Sequence, residues 1–458
     1  MNLLIEALAN GIKDAGCRFY SNYPGFHANE LHEALGCKFT SIDEKSAFAY
    51  AWGASMAGKR AAVSFKNVGL NDAADAFLGS MFVGCRAGLV LFLFDDCDIQ
   101  HSQNRFDVRP YFLIHGGLWL EPRTIPEAYE FAKKAFVYSE RFSLPVVVRV
   151  TNILYEQGRR FVSYARSKEE ARVFPKLERE NCSSRYVVHP SEAWRMEKEL
   201  EEKNKQIEEF VEELYNPLPD VVSNEIIFGA KRNLIARNAI RLFTLPLPKK
   251  IVQSFCEKNY GNDIVVYEHG ATPFISNLVN ALLSPSKTIS KKMPSDAFLK
   301  PKYHNNDYME KLFKPMRDNF GLICGDLGGY TMDPFRTLNL CLCYGVAPAV
   351  AMGCADADTE NIGLVCCVIG DGAYLHSGQQ YLFEMVERGV STTIFVLENG
   401  GTKGTGGQHI PGNLYQYPQG TRFYELDYAS TSSEEIDKFL KNLPSEGVKL
   451  VLVHTGEE

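Results

Sequence analysis

Along the first third of the chain, short apolar runs of strand length alternate with stretches in which apolar residues recur every three or four positions. The pattern predicts a helix from Leu3, a strand at FTSID (39–43), a helix over 45–58, the strand AAVSF (61–65), a helix around 71–84, the strand GLVLFLF (88–94), a helix over 127–142 and the strand PVVVRV (145–150). Strand and helix in alternation imply a parallel sheet covered on both faces. From about 158 to 216 the pattern turns polar, and EAWRMEKELEEKNKQIEEFVEEL (192–214) predicts a solvated connecting helix. A smaller α/β piece follows over 217–285, with IVVYE (264–268) as its clearest strand, and 286–318 reads as a loop or linker. Alternation then returns in FGLICGD, a helix near CYGVAPAVAMG, GLVCCVIGD, a further helix, TTIFVLEN and KLVLVH (449–454). The boundaries are therefore 1–157, 158–216, 217–285 and 286–458: two α/β domains flanking a charged helical linker and a smaller α/β domain.

Composition changes this picture little. The 458 residues suffice for two to four domains, and 45% hydrophobic with 23% charged residues is ordinary for a globular chain. A net charge of -7 without a Lys/Arg cluster argues against nucleic acid or anionic lipid as partner. The N-terminal MNLLIEALANGIKDAGC has no basic leader, and no apolar run has the length of a bilayer crossing, so a cytoplasmic location is expected. No two of the twelve cysteines form a C-x-x-C pair, and Cys366 and Cys367 fall inside a strand, which predicts packing thiols instead of a disulfide framework or a zinc site.

The candidate chemistry lies in GDGAYLHSGQQYLFEMVERGVSTTIFVLENGGT (370–402). GLVCCVIG (363–370) and STTIFVLEN (391–399) read as parallel strands joined by a helix with Leu382, Phe383 and Val386 on its apolar stripe. Both strands then point the same way, so Asp371 and Asn399 emerge at one sheet edge although 28 positions separate them. A carboxylate, an amide oxygen and the carbonyl of a glycine turn are hard ligands suited to Mg²⁺ that also holds phosphate. Gly370, Gly372, Gly400 and Gly401 permit close approach of a bulky anion, and the start of the helix offers unpaired N–H groups to it. The segment is expected to hold a magnesium diphosphate.

GDG followed by Asn at the end of the next strand resembles the diphosphate motif of thiamine diphosphate enzymes. GDLGGYT (325–331), CLCYGVAPAVAMG (341–353), GDGAYLHSG (370–378) and VLENGGTKGTGGQHIPG (396–412) are similar to the cofactor domain of the alpha subunit of indolepyruvate ferredoxin oxidoreductase. NYPGFHANEL (22–31), DEKSAFAYAWGASMAGKRA (43–61), FKNVGLNDAAD (65–75), DDCDIQHSQNRFD (95–107) and LPVVVRVT (144–151) resemble that family's aminopyrimidine-binding domain, in the same order. The resemblance implies an α/β fold of two thiamine diphosphate-type parallel-sheet domains, aminopyrimidine-binding over 1–157 and diphosphate-binding over 286–458, with a transketolase-C-like domain at 217–285. It gives Glu44 the role of the acid that bonds N1′ of the cofactor, and Asp371, Asn399 and the Gly401 carbonyl the role of Mg²⁺ ligands. Pro24, Gly25, Asp326, Gly328, Tyr330, Gly370, Gly372, Ala373 and Thr402 are implied in cofactor binding, and His376 and His101 in proton transfer or substrate contact. Asp95 and Asp96 end a strand and either line the same cavity or cap the next segment. A homodimer is the family expectation, with the two domains meeting within one subunit or across two.

The chain also departs from that family. It ends soon after VLVHTGEE without the C-x-x-C motifs of a ferredoxin-like domain, so no iron–sulfur wiring is expected in it. Asn67 stands where the family has a histidine, as do Gly407 and Ile410, with His409 displaced between them. Kept cofactor machinery with an altered electron exit favours non-oxidative decarboxylation of a 2-oxo acid, aryl-pyruvate-like by resemblance, or carbon–carbon ligation to a second carbonyl, through an enamine. The alternatives are an oxidoreductase subunit served by separate electron-transfer chains and a thiamine diphosphate-binding subunit without turnover.

Overall fold

In the computed structural model, the described residues are 2–100, 102, 105–158, 164–170, 172–175, 177, 185–190, 192–215, 223–230, 239–259, 261–283, 309–358, 363–402, 407–409 and 415–456. His101, Ile410 and most of the 286–318 stretch lie outside them.

The first sheet is built from β1 (Phe19–Asn22), β2 (Ala61–Lys66), β3 (Leu89–Asp95), β4 (Leu118–Leu120) and β5 (Val146–Thr151). They run parallel in the order β1-β2-β3-β5-β4. Every residue of β3 and β5 is buried, as expected for central strands covered by helices on both faces. FTSID is not a strand. Ser41 is buried while Ile42 is 40% exposed, which inverts the expected faces. Instead the segment is extended chain held by Ser41 N–H on the Asn22 carbonyl (2.9 Å).

The charged helix Ala193–Leu214 is not merely a solvated connector. Met196, Leu200, Ile207, Phe210 and Val211 form a buried stripe. The Asn204 amide accepts from Gly117 N–H (2.8 Å) and donates to the His115 carbonyl (2.9 Å), tying the helix to the first domain.

The middle segment has its own parallel sheet, ordered β7 (Ile240–Leu242), β6 (Glu225–Phe228), β9 (Val265–Tyr267). Its β8 (Thr244–Leu245) pairs antiparallel with β4, so this piece also extends the first sheet. A buried ion pair between Arg109 and Glu268 crosses the same junction, as does the hydrogen bond from Arg149 to the His269 carbonyl (2.7 Å), and both guanidiniums are held from the first-domain side, Arg109 by Asp107 and Arg149 by Asp95 and Glu121.

The last domain contains six parallel strands: β10 (Leu322–Gly325), β11 (Leu340–Cys341), β12 (Val365–Gly370), β13 (Thr392–Glu398), β14 (Arg422–Asp427) and β15 (Val448–His454), ordered β11-β10-β12-β13-β15-β14. Part of the expected linker is helical instead. Glu310–Asn319 buries Leu312, Phe313 and Met316, with Pro315 inside it. The helix expected after the GDG turn runs over Gln379–Arg388, but its buried face is Tyr381, Leu382, Glu384 and Met385, whereas Phe383 is 44% exposed. Glu384 thus occupies a place on the buried face that an apolar reading gave to Phe383.

The two large domains meet within this one chain. The helices Glu44–Met56 and Ala347–Ala357 cross so closely that a Cβ on Gly53 would lie 2.3 Å from the Val350 carbonyl oxygen, and one on Gly353 would lie 2.0 Å from that of Tyr50. This reciprocal approach of two backbones is available only to glycine. The eleven described cysteines are free, and ten of them are buried. Among the described residues no helix is long and apolar enough to cross a membrane.

Candidate active site

Asp371 follows the last residue of β12 and opens a turn that passes through a wider helical coil over Tyr374–Gly378 into the Gln379–Arg388 helix. Parallel pairing of β12 with β13 aligns Gly370 with Leu397, which brings the Asn-Gly-Gly turn beside Asp371. The Asp371 carboxylate accepts the N–H groups of Gly372 (2.7 Å), Asn399 (3.2 Å) and Gly400 (3.0 Å). Burial pushes its pKa up, and these amides work in the opposite direction by favouring the ionised form. Gly400 has φ +78, a conformation that costs glycine little and other residues more.

Beside this junction is a cavity of about 270 Å³ lined by Asp371, Leu375, Glu398, Asn399, Gly400, Gly401, His409, Tyr415, His454 and Gly456. Asn399 Oδ1 is buried there without a hydrogen-bond partner among the described residues. A buried amide oxygen left unpaired next to a carboxylate and a glycine turn is the donor set that a hard cation completes. The residues present therefore fit Mg²⁺ together with the phosphate oxygens it carries.

The remaining expected residues divide into several groups. Gly370, Gly372 and Ala373 form the turn behind the cavity wall, and Gly370 N–H is bonded to the Tyr330 hydroxyl (3.2 Å). Asp326 is fully buried and its carboxylate is taken up by the N–H groups of Leu327, Gly345 and Ala347, so it organises the loop at Gly328 and the next helix start without facing the cavity. Thr402 is bonded to Gln408 by both backbone and hydroxyl. Pro24 and Gly25 lie at the carboxyl end of the first sheet, where Gly25 N–H is bonded to Asn29 (3.0 Å) and a Cβ on Gly25 would touch Lys66. Asp95 is committed to Arg149 and Asn67, and Asp96 bonds Gln100 N–H, Ser102 and Asn152. Capping therefore describes Asp96, and neither residue lines the cavity.

Glu44 begins the Glu44–Met56 helix, whose N-cap is Asp43. Its carboxyl lies against Gly69, where an added Cβ would be 2.3 Å from Oε1. Burial pushes the Glu44 pKa up to about 7, with the nearby Asp72 and Asp43 carboxylates adding to the effect. Next to it, Lys45 Nζ donates to the Tyr344 carbonyl (2.8 Å), and the Tyr344 ring meets the His376 ring edge-on at 5.3 Å. The start of the Glu44 helix is thereby linked to the turn that follows Asp371. His376 is exposed and its Nδ1 is 3.1 Å from Ser377 Oγ.

Sequence reasoning missed Glu398, Tyr415 and His454. Glu398 and His454 are register partners at the carboxyl ends of β13 and β15, and their side chains pair at the cavity. Burial and the Glu398 carboxylate together push the Tyr415 phenol up. The signal was present for His454: KLVLVH was legible as a parallel strand, and its last residue must then lie on the edge that carries Asn399.

Residues 326–455, which carry this site, match the family described as thiamine pyrophosphate enzyme, C-terminal TPP binding domain. Over most of its length the chain resembles indolepyruvate oxidoreductase subunit IorA. It is 26% identical to that of Archaeoglobus fulgidus over 90% of this chain and 76% of the relative, and 25% identical to that of Methanothermobacter thermautotrophicus over 89% and 76%. A shorter stretch, 32% of this chain and 24% of the relative, is 36% identical to the IorA of Thermococcus kodakarensis. Among solved structures, the thiamine diphosphate-dependent 4-hydroxybenzoylformate decarboxylase of Rhodococcus jostii RHA1 covers 99% of both chains at 14% identity and a TM-score of 0.53. The benzoylformate decarboxylase of Polynucleobacter necessarius covers 100% of both at 12% identity and the same TM-score. These structures share the multi-domain fold of thiamine diphosphate enzymes with this chain.

Proposed function

We propose that the chain is a thiamine diphosphate- and Mg²⁺-dependent enzyme that acts on an aryl-pyruvate-like 2-oxo acid by non-oxidative decarboxylation or by carbon–carbon ligation. The observation that carries this reading is the junction of Asp371 with Asn399 and Gly400, with Asn399 Oδ1 buried and unpaired beside a cavity. Asp371, Asn399 and the Gly401 carbonyl would hold Mg²⁺. Gly370 and Gly372, whose N–H groups are taken by Tyr330 and Asp371, would shape the turn, and Ala373, at the start of the helical turn, would present its N–H to the diphosphate. When bound, thiamine diphosphate supplies a carbon nucleophile that adds to the substrate carbonyl and an electron sink for the pair released with CO₂.

Glu44 would share a proton with N1′ of the aminopyrimidine. With a pKa near 7 it can give and take that proton around neutrality, where general acid–base catalysis is most effective. His376, exposed beside Tyr344, would pass a proton between solvent and substrate. The non-oxidative outcome is favoured because the sequence contains no C-x-x-C pair and nearly all described thiols are buried fillers. A second reading, an oxidoreductase chain that passes electrons to a separate protein, is favoured by the similarity to IorA.

The test is CO₂ release from a panel of aromatic and aliphatic 2-oxo acids with thiamine diphosphate and Mg²⁺ present and no electron acceptor. An aldehyde or acyloin product is expected. Release only after addition of a low-potential acceptor dye would replace this reading with the second.

A further inference from the structure

Glu384 is a buried carboxylate that the chemistry above leaves unused. It lies on the Gln379–Arg388 helix, which continues from the Asp371 turn, and it is 4% exposed. Its Oε1 accepts Ser41 Oγ (2.9 Å) and Arg388 Nε (2.9 Å), and the second guanidinium nitrogen lies 2.7 Å away. Its Oε2 accepts Ser46 Oγ (2.6 Å) and Ile42 N–H (3.2 Å). One turn earlier, Gln380 Nε2 donates to Asp43 Oδ2 (2.6 Å), while the other Asp43 oxygen caps the Glu44 helix at Ser46 N–H (2.6 Å). Every one of these contacts except the Arg388 pair and the Asp43 cap on Ser46 crosses from the last domain to the first, and together they hold residues on both sides of Glu44.

Arg388 fixes the carboxylate from behind. Its guanidinium lies over the rings of Phe39 and Tyr50, both in the first domain. A charged acceptor bonded by two hydroxyls, an amide and a guanidinium has its rotamer fully determined. That is the arrangement which holds a functional group within a fraction of an ångström, whereas a loop-borne acid without it would wander.

We propose that Glu384 is a positioning residue for Glu44: it clamps the Ser41–Ser46 segment of the first domain to the helix that begins at the Asp371 turn, and so sets the acid at one end of the cofactor from the element that binds the other end. This rests on the assignment of Glu44 to the aminopyrimidine. The coupling would let occupancy of the diphosphate turn and placement of the acid report on each other through a single helix.

The experiment follows exchange of the thiazolium C2 proton with D₂O, by acid quench and proton NMR, in the full chain saturated with thiamine diphosphate and Mg²⁺. Cofactor affinity is measured in parallel by calorimetry. Four proteins are compared: wild type, Glu384→Ala, the double variant Ser41→Ala/Ser46→Ala, and Glu44→Gln. The double variant leaves the Glu384–Arg388 pair in place, so it reports even where Glu384→Ala does not fold. Exchange in the double variant, and in Glu384→Ala where folded, is expected to slow on the order of 10–100-fold, the effect of a displacement of about 1 Å, with cofactor affinity nearly unchanged. Wild-type exchange in the double variant, with slowed exchange in Glu44→Gln, would overturn the positioning role and leave the Glu44 assignment standing. Wild-type exchange in Glu44→Gln would overturn the assignment and the positioning role with it.

Discussion

Replacing Glu44 by Gln should change how stability depends on pH, even without cofactor. The folded carboxyl sits near pH 7 and an ordinary Glu at 4.5, because burial beside Gly69 and the Asp72 and Asp43 carboxylates disfavours the charge. Between those values the folded state binds more protons than the unfolded state, so this group's contribution to stability is intact below 4.5 and is lost as pH rises through 7. At full value the interval corresponds to roughly 3 kcal/mol. The carboxyl is only partly shielded from water, and screening reduces the expected effect to about 1 kcal/mol. Glutamine keeps the shape and cannot ionise, so the variant should match wild type near pH 4.5 and exceed it above pH 7. In thermal unfolding of the cofactor-free protein, the transition that includes the first domain should shift up by about 2–4 °C at pH 8 and not at pH 4.5. Parallel curves for the two proteins across this range would show that Glu44 ionises as an exposed acid, and the proton-sharing role argued from its burial would fall.

Other consequences of the geometry can be checked as directly. Asp371→Ala and Asn399→Ala should each weaken Mg²⁺-dependent thiamine diphosphate binding by roughly tenfold or more in calorimetry, and chelation of the metal should do the same to wild type. Gly69→Ala would place a Cβ 2.3 Å from Glu44 Oε1. Because that side chain can swing aside, stability should change by about 1 kcal/mol or less while turnover falls sharply, a split read from melting curves and CO₂ release. Gly53→Ala meets a backbone carbonyl at 2.3 Å instead, where nothing flexible can yield, and should cost about 3 kcal/mol in denaturant unfolding.

The elements that build the sites were largely legible, because parallel strands buried on both faces leave near-continuous apolar runs such as those at 88–94 and 363–370. The meeting of Asp371 with Asn399 was legible for the same reason: a parallel unit fixes which ends of its strands come together. FTSID failed because its alternation imitates a strand while its side chains serve contacts with another domain: Ser41 turns inward to Glu384 and Ile42 outward. The Glu310–Asn319 helix was hidden by Pro315, which reads as a breaker, although packing of Leu312, Phe313 and Met316 outweighs the lost N–H.

What sequence pattern could not carry is the relation between the domains. Gly53 and Gly353 are 300 positions apart, and neither differs from a helix glycine of no consequence until the other helix is placed against it. Glu384 shows the limit most sharply. Its neighbours Leu382 and Met385 mark the buried face of the helix, and an acid among them reads as a break in the apolar stripe. Its partners are hydroxyls and an amide more than 330 positions away, on the segment on either side of Glu44. Burying an unpaired carboxylate would cost several kcal/mol, so a chain that places one there must bring donors to it. An acid on the apolar face of a helix is therefore an indication, readable in advance, that another part of the fold comes to meet it, even though the identity of that part waits on the structure.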